Sequence, residues 1–553
     1  MNIYKKLFIF LTIVCIELHA QNHVINPLEF EPILSGTFGE LRSNHFHAGL
    51  DIKTKGKEGA KILAYKKGYV SRIKVSNGGY GKAIYIKHPD GYTSVYAHLQ
   101  KYSNKIDSLV KSIQYKKKSY QIEYFPKINE IIIPKDSLIG YTGNTGGSSG
   151  PHLHFEIRDE NQKPLNPLKL GVEVQDNIKP ILKDLIYYNL SKNNEIIRRK
   201  KINFYKNNIG EFISDTIYDI GKIGIGINVF DKQNLANNNN GAYQIITSII
   251  KDTLLIVDYS SFTFNESKHI NRHIDFAEYK KTKKRFQKLF IQRNNPLSIF
   301  KKNINKGTID VVKDSSSNLI VEIFDFKKNK LKLLIPFKGN KTINQKLTIG
   351  DSNKLFINRF KEYRISNMNS TIHISKNTFY NNLFLDITGQ NDILKINEDT
   401  IPLLKPIKIK FKKPSGKNNY VGKLNGNRIS FLSSFLKNDS IIANSKSLGK
   451  FTMTKDTISP TINTLGLKNE QWVTDKKYLN LRILDNSSGV KNFRATINEK
   501  WILLEPYKKN GYLRYDFNDN ISKKTKNELV IEVIDNAGNF KMKKIVFYRK
   551  IKD

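Results

Sequence analysis

Residues 143–158 place two histidines one residue apart behind a run of glycines and serines, in the sequence GNTGGSSGPHLHFEIR. In a strand, successive side chains point to opposite faces of the sheet. His152 and His154 therefore share one face with Glu156, whereas the apolar residues that alternate with them share the other. The apolar face can anchor the strand in a core while both imidazoles point into a cleft. Two histidines alone make a poor metal site, so other segments must supply further ligands.

The missing ligands are predicted in an upstream segment, ELRSNHFHAGLDIKT, which contains His47 and Asp51. Their spacing of four is even, so a strand presents both on one face. With one histidine of the HLH pair, they give two imidazoles and a carboxylate. Three protein ligands with a fourth position left for water is the arrangement of a catalytic zinc site. Such a metal acidifies its water and polarises a carbonyl group, which is the combination that amide hydrolysis requires.

A further histidine, His98, ends another strand of the same glycine-rich region, in the sequence SVYAHLQ. His23, His45 and His88 are assigned to packed or surface positions, because a lone histidine on a strand is more often one of these than a ligand. Asp51 taken alone could equally be a turn acceptor. The combination of HxxxD, a later AH and then HxH within one region is what indicates a site.

Three other metal-site patterns fit less well. The HxE at 154–156 occurs in zinc deaminases, but their CxxC is impossible in a chain without a cysteine beyond its leader. Residues 146–154 approximate the glycine-spaced HxH of cupins. The glutamate expected a few residues later is missing there, because Arg158 and Asp159 fill those places. The HExxH motif is absent from the sequence.

The sequence from about residue 36 to residue 168 resembles the LytM/lysostaphin-type zinc endopeptidases of peptidoglycan, peptidase family M23. The family's motifs occur in order as FHAGLDIKT, AYKKGYV, NGGYGKAIYIKH, YAHL, GYTGNTGGSSGPHLHFEIR and LNP. The resemblance implies an antiparallel β fold with a groove whose floor holds one zinc ion. The glycines of GNTGGSSGP would let a substrate strand approach the backbone, or would simply turn the chain into the HLH strand.

By this resemblance, His47, Asp51 and His154 are the zinc ligands. His98 and His152 would flank the metal water, one as the general base and the other stabilising the tetrahedral oxyanion. A neutral imidazole suits proton transfer near pH 7, and a donor aimed at the oxyanion supplies electrostatic stabilisation. The resemblance does not say which histidine plays which part.

One segment departs from the family pattern. Between YAHL and IGYTGNTG the family usually has a short connection, but here an insertion occupies about residues 103–130. If the insertion forms a groove wall, it reshapes substrate choice. If it packs against the downstream modules, it could block the groove until they move. The need for an activator is therefore open.

Length and charge set the broad class of protein. A chain of 553 residues is too long for one core, and three to five domains are expected. The 92 Lys and Arg residues against 50 Asp and Glu leave a net charge of +42, which favours anionic partners. Lysine, asparagine and isoleucine are frequent along the whole chain, so a compositional bias explains the charge as well as polyanion binding does.

The N-terminus predicts export. Residues 1–20 combine the basic MNIYKK, the apolar LFIFLTIVCI and ELHA, which together predict a secretory signal peptide cleaved after Ala20. The apolar run is too short for a bilayer span, so no transmembrane segment is expected in the mature chain. Cys15 is the only cysteine and lies inside this run. Disulfides, cysteine nucleophiles and Cys-rich zinc sites are thereby excluded. The periplasm or cell envelope is the expected location.

The domain organisation is predicted to be all-β. An antiparallel-sheet, lysostaphin-type peptidase domain over 31–172 is followed by immunoglobulin-like β-sandwich modules at 175–338 and 456–553, with a β-rich domain at 339–455 between them. Similar linkers, DNIKPIL and DTISPTI, precede the two sandwiches. Only RHIDFAEYKKTKKRFQKLF, residues 272–290, favours a helix as well as strand. This arrangement resembles long multidomain members of the family from the Bacteroidetes.

Four aspartates mark the strand ends of the predicted sandwiches: Asp231, Asp325, Asp485 and Asp535. Carboxylates at such positions could be calcium ligands. Asp-Asn turn chemistry accounts for them more simply, and we prefer that interpretation.

The leading functional hypothesis is a zinc-dependent endopeptidase that acts on peptidoglycan stems or cross-links in cell-wall remodelling. The first alternative is a non-catalytic or autoinhibited envelope scaffold that regulates another cell-wall hydrolase. Such proteins usually lose metal ligands, whereas all are present here. The second alternative is an exported adhesive or polyanion-binding protein. No nucleic-acid partner is expected, because only the charge favours one and export conflicts with it. The sandwich modules could hold an envelope partner, and the sequence does not indicate the bond cleaved or the oligomeric state.

Overall fold

The computed structural model describes most of the chain. The described residues are 26–250, 252–340, 354–390, 392–412, 416–519, 521 and 524–550. The predicted signal peptide at 1–20, including Cys15, and His23 lie outside these ranges.

The first part of the described chain folds into a large antiparallel sheet, a small sheet and a helix. Its elements are β1 (Leu34–Gly36), β2 (Leu50–Lys53), β3 (Lys61–Leu63), β4 (Gly68–Val75), β5 (Lys82–Lys87), β6 (Thr93–Ala97), β7 (Lys101–Tyr102), α1 (Asn104–Lys117), β8 (Ile122–Tyr124), β9 (Ile132–Ile133), β10 (Leu138–Tyr141), β11 (His152–Arg158), β12 (Pro164–Leu165) and the 3₁₀ turn η1 (Pro167–Leu170). The large sheet has the order β1-β2-β11-β6-β5-β4-β8, with β12 paired to β11 and β9 to β4. The small sheet has the order β3-β10-β7.

Strand β11 lies inside the large sheet, between β2 and β6. The alternation of its sequence places Leu153, Phe155 and Ile157 in the core, each without exposed surface. The ring of Phe155 packs 5.2 Å from that of Tyr96 on β6. This apolar face fixes the register, since a slip of one residue would turn the core residues toward the cleft and the polar residues toward the core.

Helix α1 occupies the predicted insertion, where the sequence analysis did not anticipate a helix. Its buried positions Ile106, Val110 and Gln114 are four residues apart, which places them on one helical face. Lys118 ends the helix in the left-handed conformation and donates its backbone N–H to the last turn. The helical period was not recognised in the sequence because the segments on either side of the insertion alternate as strands.

The second part of the described chain forms two more sheets and three short helices. Its elements are β13 (Ile181–Leu190), β14 (Ile196–Ile202), β15 (Phe204–Lys206), β16 (Phe212–Ser214), β17 (Ile217–Tyr218), β18 (Gly221–Gln233), β19 (Ala236–Asn240), β20 (Gln244–Ile249), β21 (Asp252–Asp258), α2 (Phe264–Ser267), α3 (Ile270–His273), α4 (Phe276–Thr282), β22 (Gln287–Lys288), β23 (Phe300–Asn303), η2 (Asn305–Gly307), β24 (Ile309–Val311), β25 (Ser316–Phe324) and β26 (Lys330–Lys338). One sheet has the order β14-β13-β18-β19, with β22 and β24 on β18, and the other has the order β15-β16-β26-β25-β20-β21-β23, with β17 on β26.

The first two parts share one hydrophobic core. The ring of Phe262 lies 5.1 Å from Phe38 and 5.3 Å from Phe46, so aromatic residues just before strand β2 pack against the second part. Residues 272–290, where helix and strand competed in the sequence, contain both: the end of α3, all of α4, and then β22. The segment before β2, which leads to the site, therefore packs against the second part of the chain.

The remaining strands form two separately cored regions. The first contains β27 (Leu355–Ile357), β28 (Tyr363–Asn367), β29 (Ser370–Ile374), β30 (Leu383–Leu385), β31 (Ile387–Gln390), β32 (Ile393–Ile396), β33 (Ile407–Lys412), β34 (Asn419–Asn425), β35 (Arg428–Leu432), β36 (Ser434–Lys437), β37 (Ser440–Ser445) and β38 (Gly449–Lys455). The second, here called the C-terminal module, contains β39 (Thr461–Leu465), β40 (Gln471–Trp472), β41 (Tyr478–Leu484), β42 (Val490–Ile497), β43 (Lys500–Trp501), β44 (Glu505–Lys508), β45 (Tyr512–Asp516), η3 (Phe517–Asp519), β46 (Lys526–Asp535) and β47 (Phe540–Tyr548).

The predicted all-β, mainly antiparallel fold is confirmed. The domain boundaries and the immunoglobulin-like topology of the modules stay predictions. Within the described ranges, no helix has the length and apolar character needed to cross a membrane.

Candidate metal centre

The strand pairings of the large sheet bring the predicted site residues together. His154 on β11 pairs with Asp51 on β2 and, on its other side, with Ala97 at the end of β6. His98 directly follows β6 and takes a positive φ of 62°. His47 lies in the irregular segment before β2, which begins at Leu50, so His47 and Asp51 do not share a strand as predicted. Segments far apart in sequence thus meet on one face of the sheet.

Three side-chain atoms form a nearly equilateral triangle. Nε2 of His47 lies 3.0 Å from Oδ1 of Asp51 and 3.1 Å from Nδ1 of His154, and the last two atoms are 2.9 Å apart. Tetrahedral zinc ligands at their usual bond lengths lie about 3.3 Å from one another. The triangle is therefore close to one face of a zinc tetrahedron.

The other ring nitrogens of the two histidines are already committed. Nδ1 of His47 lies 2.8 Å from the carbonyl oxygen of Thr37, and Nε2 of His154 lies 2.8 Å from Oε1 of Glu156. Both oxygens accept only, so these nitrogens carry the protons and donate. The remaining nitrogens, together with Oδ1 of Asp51, then present three lone pairs to one point.

With both imidazoles neutral, this convergence of lone pairs fits a metal ion. With no ion bound, a proton can take the same place, because burial is outweighed by hydrogen bonds to Asp51 and Glu156 that raise the pKa of His154 to about 9. His47, Asp51 and His154 are only 6%, 7% and 4% exposed, so water cannot separate the three groups. One oxygen or nitrogen from each of them lies within the reach of a single ion. The three residues form a possible metal site.

Asp51 is kept ionised by its surroundings. Burial by itself would raise the pKa of its carboxyl group, but the charge of His47 and hydrogen bonds from the surrounding histidines hold the pKa well below its usual range. Its second oxygen, Oδ2, accepts a hydrogen bond of 2.9 Å from Arg42, which is also paired with Glu40. Arg42 therefore orients the carboxylate, a role that the sequence analysis did not assign.

Glu156 is a second residue whose role was not recognised from the sequence. It has no exposed surface, and it joins His154 to Tyr80 and to Arg158, whose Nε donates at 2.7 Å. Arg158 and the hydrogen bond from His154 outweigh burial and lower the pKa of Glu156 to about 2, so it is a carboxylate. A carboxylate behind a ligating imidazole fixes its tautomer and orientation. The available signal was its position two residues after His154 on the same strand face.

His98 and His152 stand next to each other beside the triangle. Their ring centroids are 4.8 Å apart, and the ring of His98 lies 5.8 Å from that of His154. Backbone carbonyl oxygens hold Nδ1 of both rings, that of Thr145 at 2.9 Å from His98 and that of Gly150 at 2.8 Å from His152. Each ring thus turns its Nε2 toward the site.

The environments of these two Nε2 atoms differ. Burial, reinforced by the nearby rings of His154 and His152, lowers the pKa of His98 to about 3, so its Nε2 is a bare acceptor at neutral pH. Nε2 of His152 instead lies 3.4 Å from Oδ1 of Asp51.

The remaining histidines of this region are not members of the triangle. His88 is 2% exposed and packs with Nδ1 against the carbonyl oxygen of Lys67 and Nε2 against Ser94. His45 is exposed and contacts the backbone of Ser43.

The glycine-rich loop before β11 is packed against a second turn. Gly146 has a φ of 70°, and a Cβ atom there would lie 2.2 Å from the backbone nitrogen of Gly81. Thr145, its neighbour, supplies the carbonyl that holds His98. Glycine at 146 is therefore required for the loop to close against residue 81 and orient this histidine.

The C-terminal module reaches this loop and helix α1. Lys509 donates a hydrogen bond of 2.8 Å to the carbonyl oxygen of Gly146. Lys82, which begins the strand after the second turn, forms an ion pair of 3.2 Å with Glu505. On α1, Tyr115 packs its ring 5.4 Å from that of Trp501. The insertion and the site loop thus contact the same module.

The chain was also compared with known proteins. Residues 45–115, which include His47, Asp51 and His98, match the model of the family described as Peptidase family M23. The DD-carboxypeptidase/endopeptidase Mpg of Neisseria meningitidis serogroup B is 31% identical over 153 residues, covering 27% of this chain and 29% of that protein. The cell division protein DipM of Caulobacter vibrioides is 25% identical over 136 residues, covering 24% of this chain and 18% of that protein.

Among solved structures, the catalytic domain of the antimicrobial peptidase lysostaphin from Staphylococcus simulans is 22% identical. The match covers 24% of this chain and 88% of that one, with a TM-score of 0.19. The chain spans less than a third of the length of the Neisseria and Caulobacter relatives.

Proposed function

We propose that this chain, which carries a domain of peptidase family M23, is a zinc-dependent endopeptidase that hydrolyses peptide bonds in peptidoglycan stems or cross-links. The observation that carries the proposal is the convergence of three lone pairs, from His47, Asp51 and His154, beside two further imidazoles. A metal-binding triangle alone would suit a structural site. The adjacent histidines supply the acid–base groups that hydrolysis needs.

His47, Asp51 and His154 would hold one zinc ion and leave a fourth position open. A zinc ion there would polarise the scissile carbonyl group and lower the pKa of a water molecule to about 7. Thr37, Arg42 and Glu156 orient the three ligands. The carbonyl oxygen of Thr37 accepts from His47, Arg42 donates to Asp51, and the carboxylate of Glu156 accepts from His154.

His98 is proposed as the general base. Its Nε2 is unprotonated at neutral pH and its Nδ1 is fixed by the carbonyl oxygen of Thr145. The ring can therefore take a proton from the attacking water at Nε2 and later deliver it to the amide nitrogen that leaves. His152, whose Nε2 faces Asp51, is proposed as the donor that stabilises the oxyanion of the tetrahedral intermediate.

The substrate is proposed from the character of the groove and from the relatives. Gly146 and Gly147 belong to the loop whose Thr145 carbonyl oxygen holds His98, and a substrate strand with small side chains is proposed to approach this loop. The names of the Neisseria and Staphylococcus proteins describe a DD-carboxypeptidase/endopeptidase and an antimicrobial peptidase. Peptidoglycan stems and cross-links are the substrates that this combination supports. The leader-like residues 1–20 support export to the periplasm or cell envelope.

Zinc content and hydrolysis of the histidine variants test this assignment. His154→Ala is expected to lose both zinc and activity, because it removes a ligand. His98→Ala and His152→Ala are expected to keep one zinc per chain and lose activity by about 100-fold or more, the size of effect expected for a proton-transfer group or an oxyanion donor. His45→Ala is the matched control and should change neither. Zinc loss in the His152 variant with zinc kept in the His154 variant would reverse the ligand assignment.

A regulated form of the same enzyme is the second candidate. Lys509 and Glu505 of the C-terminal module contact the loop and turn that position His98. A module fixed in this place would narrow the approach to the site, as an autoinhibited envelope protein requires. Activity of the intact chain on sacculi distinguishes a module that permits access from one that must move.

A further inference from the structure

Two sets of three aspartates occur at corresponding places in the downstream regions. In each set, one carboxylate oxygen from every member lies within 4.8 Å of the others. The first carboxylate set is Asp176, Asp231 and Asp325, and the second carboxylate set is Asp456, Asp485 and Asp535.

The two sets are built on the same hydrogen bonds. In the first, Nδ2 of Asn329 donates to Oδ2 of Asp325 at 2.6 Å and to the carbonyl oxygen of Asp176 at 3.1 Å. In the second, Nδ2 of Asn539 donates to Oδ2 of Asp535 at 2.7 Å and to the carbonyl oxygen of Asp456 at 2.8 Å. The predicted turn contacts of Asp325 and Asp535 are therefore confirmed.

The sets differ in how their other carboxylates are satisfied. In the second set, Oδ2 of Asp456 accepts from the backbone N–H of Ser488 at 2.9 Å, and Oδ1 of Asp485 accepts from those of Ser487 and Gly489. A turn thus satisfies the hydrogen-bonding capacity of these two carboxylates.

Asp231 of the first set has no such turn. It is only 5% exposed, and its Oδ1 is buried without a hydrogen-bond partner among the residues that the structure describes. No lysine or arginine of the described ranges forms an ion pair with it. Burial, together with the charges of Asp325 and Asp176, raises the pKa of Asp231 to about 8. Lys327 acts on the set through Asp176, and within the described ranges it forms no ion pair with these carboxylates.

A small cavity is lined in part by Asp231. Its volume of about 30 Å³ suffices for one ion or water molecule. Asp176, Asp231, Gln233 and Asn240 supply oxygen atoms to its lining, which also contains Lys327 and apolar side chains. Asp325 does not line it. Thr37 of the peptidase region also lines it, which places the cavity between the first and second parts of the chain.

We propose that the first carboxylate set binds a divalent cation, calcium, at the junction between the peptidase domain and the module that follows it. Hard carboxylate and amide oxygens without nitrogen or sulfur ligands select calcium or magnesium. Calcium accepts six to eight oxygens in irregular geometry, so water can complete the shell around three carboxylates. Magnesium requires a nearly ideal octahedron and keeps most of its own water.

The cation would stabilise the junction that supports a zinc ligand. Gln233, two residues after Asp231, accepts the backbone N–H of Leu34 at 2.7 Å. Gly241 donates its N–H to Thr37 Oγ1 at 3.0 Å, and the carbonyl oxygen of Thr37 holds His47. Neutralising the carboxylates would therefore fix the segment that follows β1, in which the carbonyl oxygen of Thr37 holds His47.

Thermal unfolding of the zinc-loaded full chain tests the proposal. Calcium at about 10 mM, ten times the upper end of dissociation constants for extracellular modules, should raise the midpoint of unfolding by about 3 °C or more. The Asp231→Asn variant should lose this shift, whereas Asp485→Asn, in the second set, should keep it. No calcium shift in the wild-type protein, or an equal shift in both variants, would overturn the proposal.

Direct binding keeps the proposal falsifiable if Asp231→Asn fails to fold. Terbium, an analogue of calcium, should bind the zinc-saturated wild-type chain, and its emission should be excited through Tyr243, which lines the cavity. Calcium should displace it, and magnesium should do so at least about 10-fold less effectively. Terbium emission that calcium does not reduce, or that magnesium reduces equally well, would contradict a calcium site.

Discussion

Replacing Glu156 by glutamine should weaken zinc binding without touching a zinc ligand. The carboxylate accepts the proton of His154 Nε2 at 2.8 Å and thereby leaves Nδ1 free for the metal. A hydrogen bond to a charged acceptor contributes about 1.5–3 kcal/mol, and one to a neutral acceptor about 0.5–1.5 kcal/mol. The loss of about 1.4 kcal/mol corresponds to a tenfold weaker affinity, within the 10–100-fold range of outer partners of metal ligands.

The same substitution should also destabilise the fold, for a separate reason. Arg158 is 6% exposed, and its partner among the acidic residues is Glu156. Removing one member of a buried pair costs about 3–5 kcal/mol, because the other charge remains buried. Zinc affinity must therefore be measured under conditions in which circular dichroism shows that the variant is folded.

The assay is a competition titration of zinc between the protein and a chromophoric chelator. Glu160→Gln is the matched control, since Glu160 is exposed just beyond the end of strand β11. Glu156→Gln is expected to raise the zinc dissociation constant at least tenfold, and the control should leave it unchanged. A folded Glu156→Gln protein that binds zinc within about twofold of the wild type would refute the role assigned to this carboxylate.

Three further changes have distinct expected outcomes. Burial, then the charge of Lys288, lowers the pKa of His273 to about 3, whereas an unfolded histidine titrates near about 6.5. Stability should therefore be full above pH 6.5 and fall toward pH 3 by about 1.4 kcal/mol per unit, and His273→Leu should flatten that slope in denaturant titrations. Lys509→Met removes the contact of the C-terminal module with the site loop. If that contact restrains the enzyme by up to about 1 kcal/mol, the variant should digest sacculi up to fivefold faster. Slower digestion would contradict a restraining module. Leu153→Ala should lower the free energy of unfolding by about 3–5 kcal/mol, because Leu153 is fully buried. Leu235→Ala, at an 89% exposed position, should lower it hardly at all. Equal losses in the two variants would refute the packing of β11.

The arrangement of strand β11 was predictable because its sequence period is strictly two. The apolar residues fix the register, so His152 and His154 can only point toward the cleft. The even spacing of His47 and Asp51 predicted that one strand carries both, and this was wrong, because β2 begins at Leu50 and His47 lies in the irregular segment before it. The structure brings these four residues and His98 together, and their chemical roles stay a proposal.

What the sequence did not predict depends on contacts that leave no local pattern. The acceptors of His47, His98 and His152 are backbone carbonyl oxygens, which any residue type supplies. The bond from Lys509 to the site loop joins residues 363 positions apart. Helix α1 has a clear period of its own, but it lies within a chain whose other segments alternate as strands.

The most direct test of the account is digestion of purified sacculi by the zinc-loaded chain from residue 21 onward, with the products resolved by mass spectrometry. Parallel digestions would contain phenanthroline, which removes zinc, or the His154→Ala variant. The account predicts loss of cross-linked muropeptides by the wild type alone, with product masses that identify the bond. Intact cross-links after digestion by zinc-loaded wild-type protein, and also by the Lys509→Met variant, would contradict it.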